Sequence, residues 1–125
     1  MTSCRNNRSE HGIVAAEFAL IFTAVFALLV GIVEFGRYYN AAIVVTSAAR
    51  EGVRKVALRD PGNANSTAIA AAGGISVNPG GMMTCPATGT GTDARYTLTH
   101  SFTFDAFVPI GTKIISRTAV MRCGG

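Results

Sequence analysis

Residues 12–37 read GIVAAEFALIFTAVFALLVGIVEFGR and decide how the rest of the chain is organised. Within this stretch, residues 13–33 are apolar except for one charge, Glu17, and Glu34 and Arg37 mark the return to polar sequence. A helix rising about 1.5 Å per residue would extend roughly 31 Å over this run, close to the roughly 30 Å hydrocarbon core of a bilayer. We therefore predict one membrane-spanning helix over residues 13–36.

A cleavable secretory signal peptide is the alternative interpretation of an N-terminal apolar run. Its apolar core should cover about 7–15 residues and end at a pair of small residues separated by one position. This run is longer, and the stretch Ala24-Val25-Phe26-Ala27 in its middle would be a poor cleavage site. Arginines precede and follow the run at similar distances, so the positive-inside rule does not set its orientation.

A lone carboxylate inside the apolar run points to proteolytic processing. Residues 1–12 form a polar leader that ends in Gly12, and Glu17 follows five positions later. An ionised residue at the centre of a membrane helix costs about 2.5–3.5 kcal/mol and usually has a partner. A cut after Gly12 would place the new amine of Ile13 about 6 Å along the helix axis from Glu17. Alternatively, Glu17 lies near the membrane interface and needs no processing.

Three short motifs carry a resemblance to a known family. VAAEFAL at residues 14–20, GIVEFGR at residues 31–37 and AAREGVR at residues 48–54 resemble the TadE-like family in order and spacing. The glycine followed by glutamate at the fifth mature position also resembles the leader site cut by prepilin peptidases. Members of the family commonly carry proline six residues after this glutamate, where this chain has Thr23, so the helix kink expected from that proline is not predicted here.

The resemblance implies a non-catalytic role in building a Tad/Flp-type adhesive pilus, as a minor pilin or pseudopilin. It implies a single-pass protein of the bacterial inner membrane, with its head in the periplasm or outside the cell. The implied partners are the inner-membrane assembly machinery, other pilin-like subunits, a prepilin peptidase and membrane lipid. The family motif residues in this sequence are Glu34, Gly36, Arg37, Arg50, Glu51, Gly52 and Arg54.

A row of small side chains also recurs every four residues along the predicted span. Such rows let helix backbones approach closely in a membrane and predict a helix-packing ridge. Alanine and glycine are also common in spanning helices for no such reason, so both interpretations stay open. The row consists of Ala15, Ala19, Thr23, Ala27 and Gly31.

The helix should continue beyond the membrane as an amphipathic extension over residues 37–60. Small apolar residues recur there at steps of three and four, as one buried helix face requires. Glu51 precedes Lys55 by four positions, the favourable direction for a helical ion pair. Pro61 and Gly62 should end the helix, so we expect one long helix over residues 14–59.

Residues 61–125 predict a small head. A short helix over residues 67–72 would be capped by Asn65 or Ser66 and ended by Gly73 and Gly74. Residues 96–104 alternate apolar with polar, as a half-buried strand does, and residues 113–123 form a second strand after a turn at 109–111. A third strand is expected near 82–85, with 75–78 as a weaker candidate. The fold class is therefore α+β and pilin-like: a long helix, transmembrane and then amphipathic, packed on a small antiparallel sheet.

The cysteines predict a disulfide in the head. Cys4 would leave with the leader, and the remaining pair, Cys85 and Cys123, suits an oxidising compartment. A bond between them would close a loop of about 38 residues and contribute roughly 4 kcal/mol. A zinc site is the rival use of these cysteines. The head lacks the paired cysteine or histidine spacing of such a site, and we predict neither a metal nor a cofactor.

Other function classes find little support. The basic cluster around Arg50 and Arg54 has no interleaved aromatic residues, so a solvated helix face is favoured over a nucleic-acid site. His100 falls on the apolar face of a strand, and no phosphate loop, carboxylate pair or nucleophile motif points to an enzyme. Two hypotheses are left: an assembly subunit of a pilus, or a single-pass anchor that displays a small periplasmic binding module outside any filament.

Overall fold

The computed structural model describes residues 8–87, 91–105 and 111–124. Residues 1–7 of the predicted leader, which include Cys4, lie outside these ranges, as do Pro109 and Ile110 of the predicted turn. The architecture confirms the α+β class, with one long helix and a small antiparallel sheet. The elements are α1 (Arg8–Ala57), a 3-10 turn (Pro61–Asn63), α2 (Ala64–Ala71), β1 (Asn78–Met83), β2 (Asp93–Phe104) and β3 (Gly111–Arg122).

The chain divides into two compact units, residues 1–35 and residues 36–125. We call the first the anchor unit and the second the head unit. The head unit comprises the second part of α1, the turn, α2 and all three strands. The head unit has its own hydrophobic core, built from residues of the helices and the sheet.

Helix α1 begins earlier and ends slightly earlier than expected. It starts at Arg8, so the last five residues of the predicted leader are helical, and it ends at Ala57. Two backbone hydrogen bonds close the turn at its end. The Arg59 N–H donates to the Val56 carbonyl at 3.1 Å, and the Asp60 N–H donates to the Lys55 carbonyl at 3.0 Å. Arg59 has φ of +63° there, a conformation in which glycine is more usual. Pro61 then prevents the helix from resuming.

The predicted cap of helix α2 by Asn65 or Ser66 is wrong. It starts at Ala64, three residues before the expected start, so Asn65 and Ser66 lie inside its first turn. The residue before the helix is Asn63, whose side-chain amide donates to the Asp60 carboxylate at 3.0 Å. At the other end, Gly73 and Gly74 have φ of +59° and +93°, which confirms them as the residues that turn the chain.

The sheet has the order β1-β2-β3, with both pairs antiparallel. The predicted hairpin of the second and third strands is confirmed, and its register is unbroken from Asp93 opposite Arg122 to Phe104 opposite Gly111. Strand β1 occupies residues 78–83, so it overlaps the end of the weaker candidate, 75–78, and the start of the expected strand, 82–85. Its pairing with β2 shifts between Pro79 and Gly81. Proline cannot donate to the ladder, so an edge strand is where it is tolerated.

The core lies between small residues of α1 and large residues of the sheet. The alternation along β2 is as expected, because Tyr96, Leu98 and Phe102 are buried while their neighbours face solvent. His100 is half-buried at the margin of this face, with Nδ1 2.6 Å from the Ser76 carbonyl oxygen. The helix contributes a seam of small side chains, which lets the sheet approach closely: Ala41, Ala42, Val45, Ala48, Ala49, Val53, Val56 and Ala57.

A disulfide joins the two outer strands at one end of the sheet. Cys85 follows β1, Cys123 follows β3, and their Cα atoms lie 5.7 Å apart. The Cys123 N–H also donates to the Thr92 carbonyl at 2.9 Å, which fixes the end of β3 against the start of β2. The bond therefore links segments that the sheet does not pair directly.

Candidate functional site

The proposed cleavage point lies in the first turns of α1. Gly12 is the fifth residue of the helix and is exposed, and the space around its Cα is open. Helix ends fray because their first N–H groups lack partners within the helix, and glycine weakens a helix by about 1 kcal/mol relative to alanine. The bond between Gly12 and Ile13 therefore lies close to a helix end that frays.

Glu17 lies on the same exposed helix, four positions after Ile13. Residues four apart on an α-helix are neighbours on its surface. An amine created at Ile13 would thus be next to the Glu17 carboxylate within one chain. The same exposed carboxylate is equally accessible to the N-terminus of an adjacent chain.

The anchor unit exposes a continuous apolar surface. A segment of α1 is long and apolar enough to cross a membrane, with a mean hydropathy of 2.6 over its most apolar window and none of that window buried in the fold. Large exposed side chains include Phe18, Leu20 and Leu28, all more than 60% accessible. An apolar surface of this extent marks a contact with lipid or protein.

The row of small residues borders a row of aromatic residues. Phe18, Phe22 and Phe26 follow each other at four-residue steps, with successive ring centroids 6.1 Å apart. Within the small row, the Thr23 hydroxyl donates to the Ala19 carbonyl oxygen at 2.7 Å. This bond satisfies the hydroxyl inside the helix, so the residue needs no further polar partner in an apolar environment.

The second family motif leads into an aromatic cluster of the head unit. The Arg37 guanidinium lies 5.9 Å from the centroid of the Phe102 ring, within the range of a cation–π contact. Tyr38 packs edge-on against Phe102 at 5.6 Å and stacks on Phe104 at 5.8 Å. Glu34 is half-buried, and Gly36 is exposed with open space around it. Arg37, the last residue of the motif, and Tyr38, which follows it, thus both contact the end of β2.

The third motif divides between the core and the surface. Gly52 is buried against the Tyr96 ring, and a Cβ atom at this position would overlap that ring. Arg50, Glu51 and Arg54 are exposed. The predicted ion pair of Glu51 with Lys55 is wrong for the described residues, because Glu51 lies instead 4.0 Å from the Arg54 guanidinium. Both of those side chains are more than half exposed, so their contact contributes little.

The Tyr96 hydroxyl has a partner that the sequence did not indicate. It donates to the Asn65 Oδ1 at 2.8 Å, so Asn65 ties α2 to the sheet and does not cap the helix. Tyr96 itself is fully buried. The alternation of β2 indicated that Tyr96 is buried and that its hydroxyl needs a hydrogen-bond partner. It did not indicate which residue, because Asn65 is 31 residues away.

The pKa of Tyr96 makes the head sensitive to alkaline conditions. Burial raises this pKa above its ordinary value of 10.0. The folded state therefore binds the phenolic proton more tightly than the unfolded state, and this contribution to stability is lost as the pH rises above 10. We expect the free energy of unfolding to fall above pH 10 in the native chain, and to fall less steeply in Tyr96→Phe. Urea unfolding of the full chain in detergent micelles from pH 8 to pH 11 measures both slopes; equal slopes would contradict the prediction.

Within the described ranges, no group of three histidine, cysteine or acidic side chains is placed to hold a metal ion. The prominent geometric features are instead an exposed apolar helix with one carboxylate and a small cross-linked head. An exposed apolar surface of this kind favours contacts with lipid or protein.

A family model described as TadE-like protein matches residues 12–54, which confirms the resemblance expected from the three motifs. The match covers the apolar run and most of the extension of α1, about a third of the chain. No curated protein and no solved structure matches the chain.

Proposed function

From the match of residues 12–54 to the TadE-like family, we propose that this protein is a membrane-anchored pilin-like subunit that takes part in assembling a Tad/Flp-type adhesive pilus. Its role is structural, as a minor pilin or pseudopilin, and not catalytic. The observation that carries the proposal is the coincidence of three features in one helix. These are the family match, an apolar segment of membrane-spanning length and a lone carboxylate five residues after a glycine.

The proposed arrangement places residues 13–36 across the bacterial inner membrane and the head in the periplasm or outside the cell. A prepilin peptidase removes residues 1–12 by cutting between Gly12 and Ile13. The exposed run of large apolar side chains supports contact with lipid before assembly and with the helices of other pilin-like subunits after it. The inner-membrane assembly machinery would be the first partner.

Glu17 has a specific part in this proposal. A charged carboxylate among apolar side chains is costly unless an opposite charge lies nearby. The α-amine released at Ile13 supplies that charge, either in the same chain or in the neighbouring subunit of the assembly. Cutting and assembly are thereby coupled, because an uncut chain has no amine at this depth.

Blocking the cut tests the proposal. In Gly12→Arg, a large charged side chain replaces the glycine at the scissile bond, and we expect the chain to keep its leader and the pilus not to form. Intact mass and N-terminal sequencing of protein from native membranes should give Ile13 as the first residue in the native chain and Met1 or Thr2 in the variant. Electron microscopy of the cells measures piliation.

Two further variants sharpen this test. Ser9→Arg adds the same charge three residues upstream and should leave both the cut and the pilus unaffected. Glu17→Gln should be cut normally, because the bond after Gly12 is intact, yet should assemble poorly because the amine lacks its partner. A native chain that keeps Met1, or Gly12→Arg cells that still make pili, would overturn the proposal and favour a single-pass anchor that displays a small binding module.

A further inference from the structure

Strand β3 forms a long edge of the sheet. It is the outer strand opposite β1 in the order β1-β2-β3, and over the described residues only β2 pairs with it. Its 12 residues contain no proline, and their register with β2 has no shift. The other edge, β1, is half as long and carries Pro79 and a register shift, features that hinder pairing with another strand. A free edge of the β3 kind presents a row of unpaired backbone groups.

A groove runs between this edge and the face of α1 in the head unit. It consists of two adjoining hollows of about 260 and 220 Å³ that share Thr46, Arg50 and Arg117. The helix side of the groove combines the small residues Ala42 and Ala49 with the larger Ile43 and Arg50. Thr46 does not obstruct it, since its hydroxyl donates to the Ala42 carbonyl oxygen at 2.7 Å.

The groove is positively charged. Arg50 lines the groove from α1, and Arg117 lines it from β3. Arg117 is the cross-strand partner of the buried Leu98, so it lies on the helix-facing side of the sheet. In the part of the chain that the structure describes, neither guanidinium has an acidic side chain within 4 Å. The only hydrogen bond of the Arg117 side chain there is a long one of 3.4 Å to the carbonyl of the preceding residue.

The same charges argue against a second copy of this chain as the occupant. Strand β3 carries Lys113, Arg117 and Arg122 and no acidic residue, so two β3 strands side by side would oppose like charges. Residues 37–125 as a whole carry nine lysines and arginines against four acidic residues. Complementarity therefore favours an acidic partner over self-association.

We propose that the groove binds an extended acidic segment of another protein, which adds to β3 as a fourth strand. Backbone hydrogen bonds to the free edge would supply affinity, as in other cases of strand addition. Alternate side chains of a strand point to the same face, so the helix-facing positions of the segment carry carboxylates that pair with Arg50 and Arg117. This inference concerns the partner of the head and does not depend on the pilus role proposed above.

A peptide probe tests the inference on the purified full chain in detergent micelles. The probe is a short capped peptide that alternates glutamate and threonine, and its control has lysine in place of glutamate. We expect the acidic peptide to bind, the basic one not to bind, and amide hydrogen exchange to slow along β3 when the acidic peptide is present. The double variant Arg50→Glu with Arg117→Glu should bind it at least about tenfold more weakly.

The matched control is Arg95→Glu with Arg122→Glu, which makes the same charge change at exposed positions outside the groove and should retain binding. Because all four arginines are solvent-exposed, both double variants should keep the thermal midpoint of the native chain. Absence of binding would overturn the inference and assign the basic residues of β3 to protection of the edge. Equal loss in both variants, or binding without protection of the β3 amides, would also overturn it, because general charge attraction would then be sufficient.

Discussion

Gly52→Ala is expected to lower the free energy of unfolding of the head by about 3 kcal/mol, although it adds a single methyl group to a helix. The added Cβ would overlap the Tyr96 ring. That ring cannot swing away freely, since it is fully buried and its hydroxyl donates to Asn65. Overpacking a well-filled core costs typically 1–3 kcal/mol, and a buried hydroxyl that loses its partner adds a comparable cost. Thermal unfolding of the full chain in detergent micelles, followed by tyrosine fluorescence, measures the effect.

The same helix provides the matched control. Gly36→Ala adds an identical methyl group where nothing lies within 4 Å, so helix propensity alone should stabilise it by up to about 1 kcal/mol. Tyr96→Leu, which removes the ring, should make Gly52→Ala less costly in the double variant than in the native background. Two outcomes would show that the close approach of α1 and β2 does not require glycine at position 52. The first is a melting temperature of Gly52→Ala equal to that of the native chain. The second is a loss of unfolding free energy on Gly52→Ala that is the same in the Tyr96→Leu background as in the native one.

Loss of the disulfide is expected to have an effect of similar size. The bond from Cys85 to Cys123 closes a loop over 38 positions, which in the chain-entropy model is worth about 4 kcal/mol. The head has few large buried side chains besides Tyr96, Leu98 and Ile115, so its core is small. For a domain of this size, such a loss lowers the melting temperature by roughly 15–30 °C. Melting of Cys85→Ala with Cys123→Ala, compared with the native chain under oxidising conditions, measures it.

Cys4→Ser serves as the control for this experiment, because it removes the third cysteine without altering the head pair. Its melting temperature should equal that of the native chain, and a reducing agent should lower both to the level of the double alanine variant. A native chain whose melting temperature does not respond to reduction would contradict the prediction.

The two elements with strong hydrophobic periodicity were predictable from the sequence. The apolar run of residues 13–33, in which Glu17 is the single charge, permits little besides a long buried or membrane-spanning helix. The clean alternation of residues 96–104 indicates a half-buried strand. The turn at Gly73 and Gly74 was equally local, because positive φ angles at both positions favour glycine. Each of these features depends on neighbours within one element.

Weaker local signals led to errors of a few residues. Helix α2 is eight residues long and rich in alanine, so no strong periodicity marks its start, and Asn65 resembled a cap. Strand β1 contains proline and two glycines, which carry little strand preference, and its position follows from pairing with β2. In both cases the contact that decides the outcome lies far away in the chain: Tyr96 for Asn65, and residues 95–99 for β1.

The sequence by itself determined the membrane-length helix, the motifs at Gly12 and Glu17 and the half-buried strand, because each is written in residues close together along the chain. Only the tertiary structure decided why Gly52 must be small, which residue holds the Tyr96 hydroxyl, and that Arg50 and Arg117 share one groove. These relations join residues 31 to 67 positions apart. They arise from the packing of α1 and α2 on the sheet, and packing of distant segments leaves no periodic signal in a single sequence.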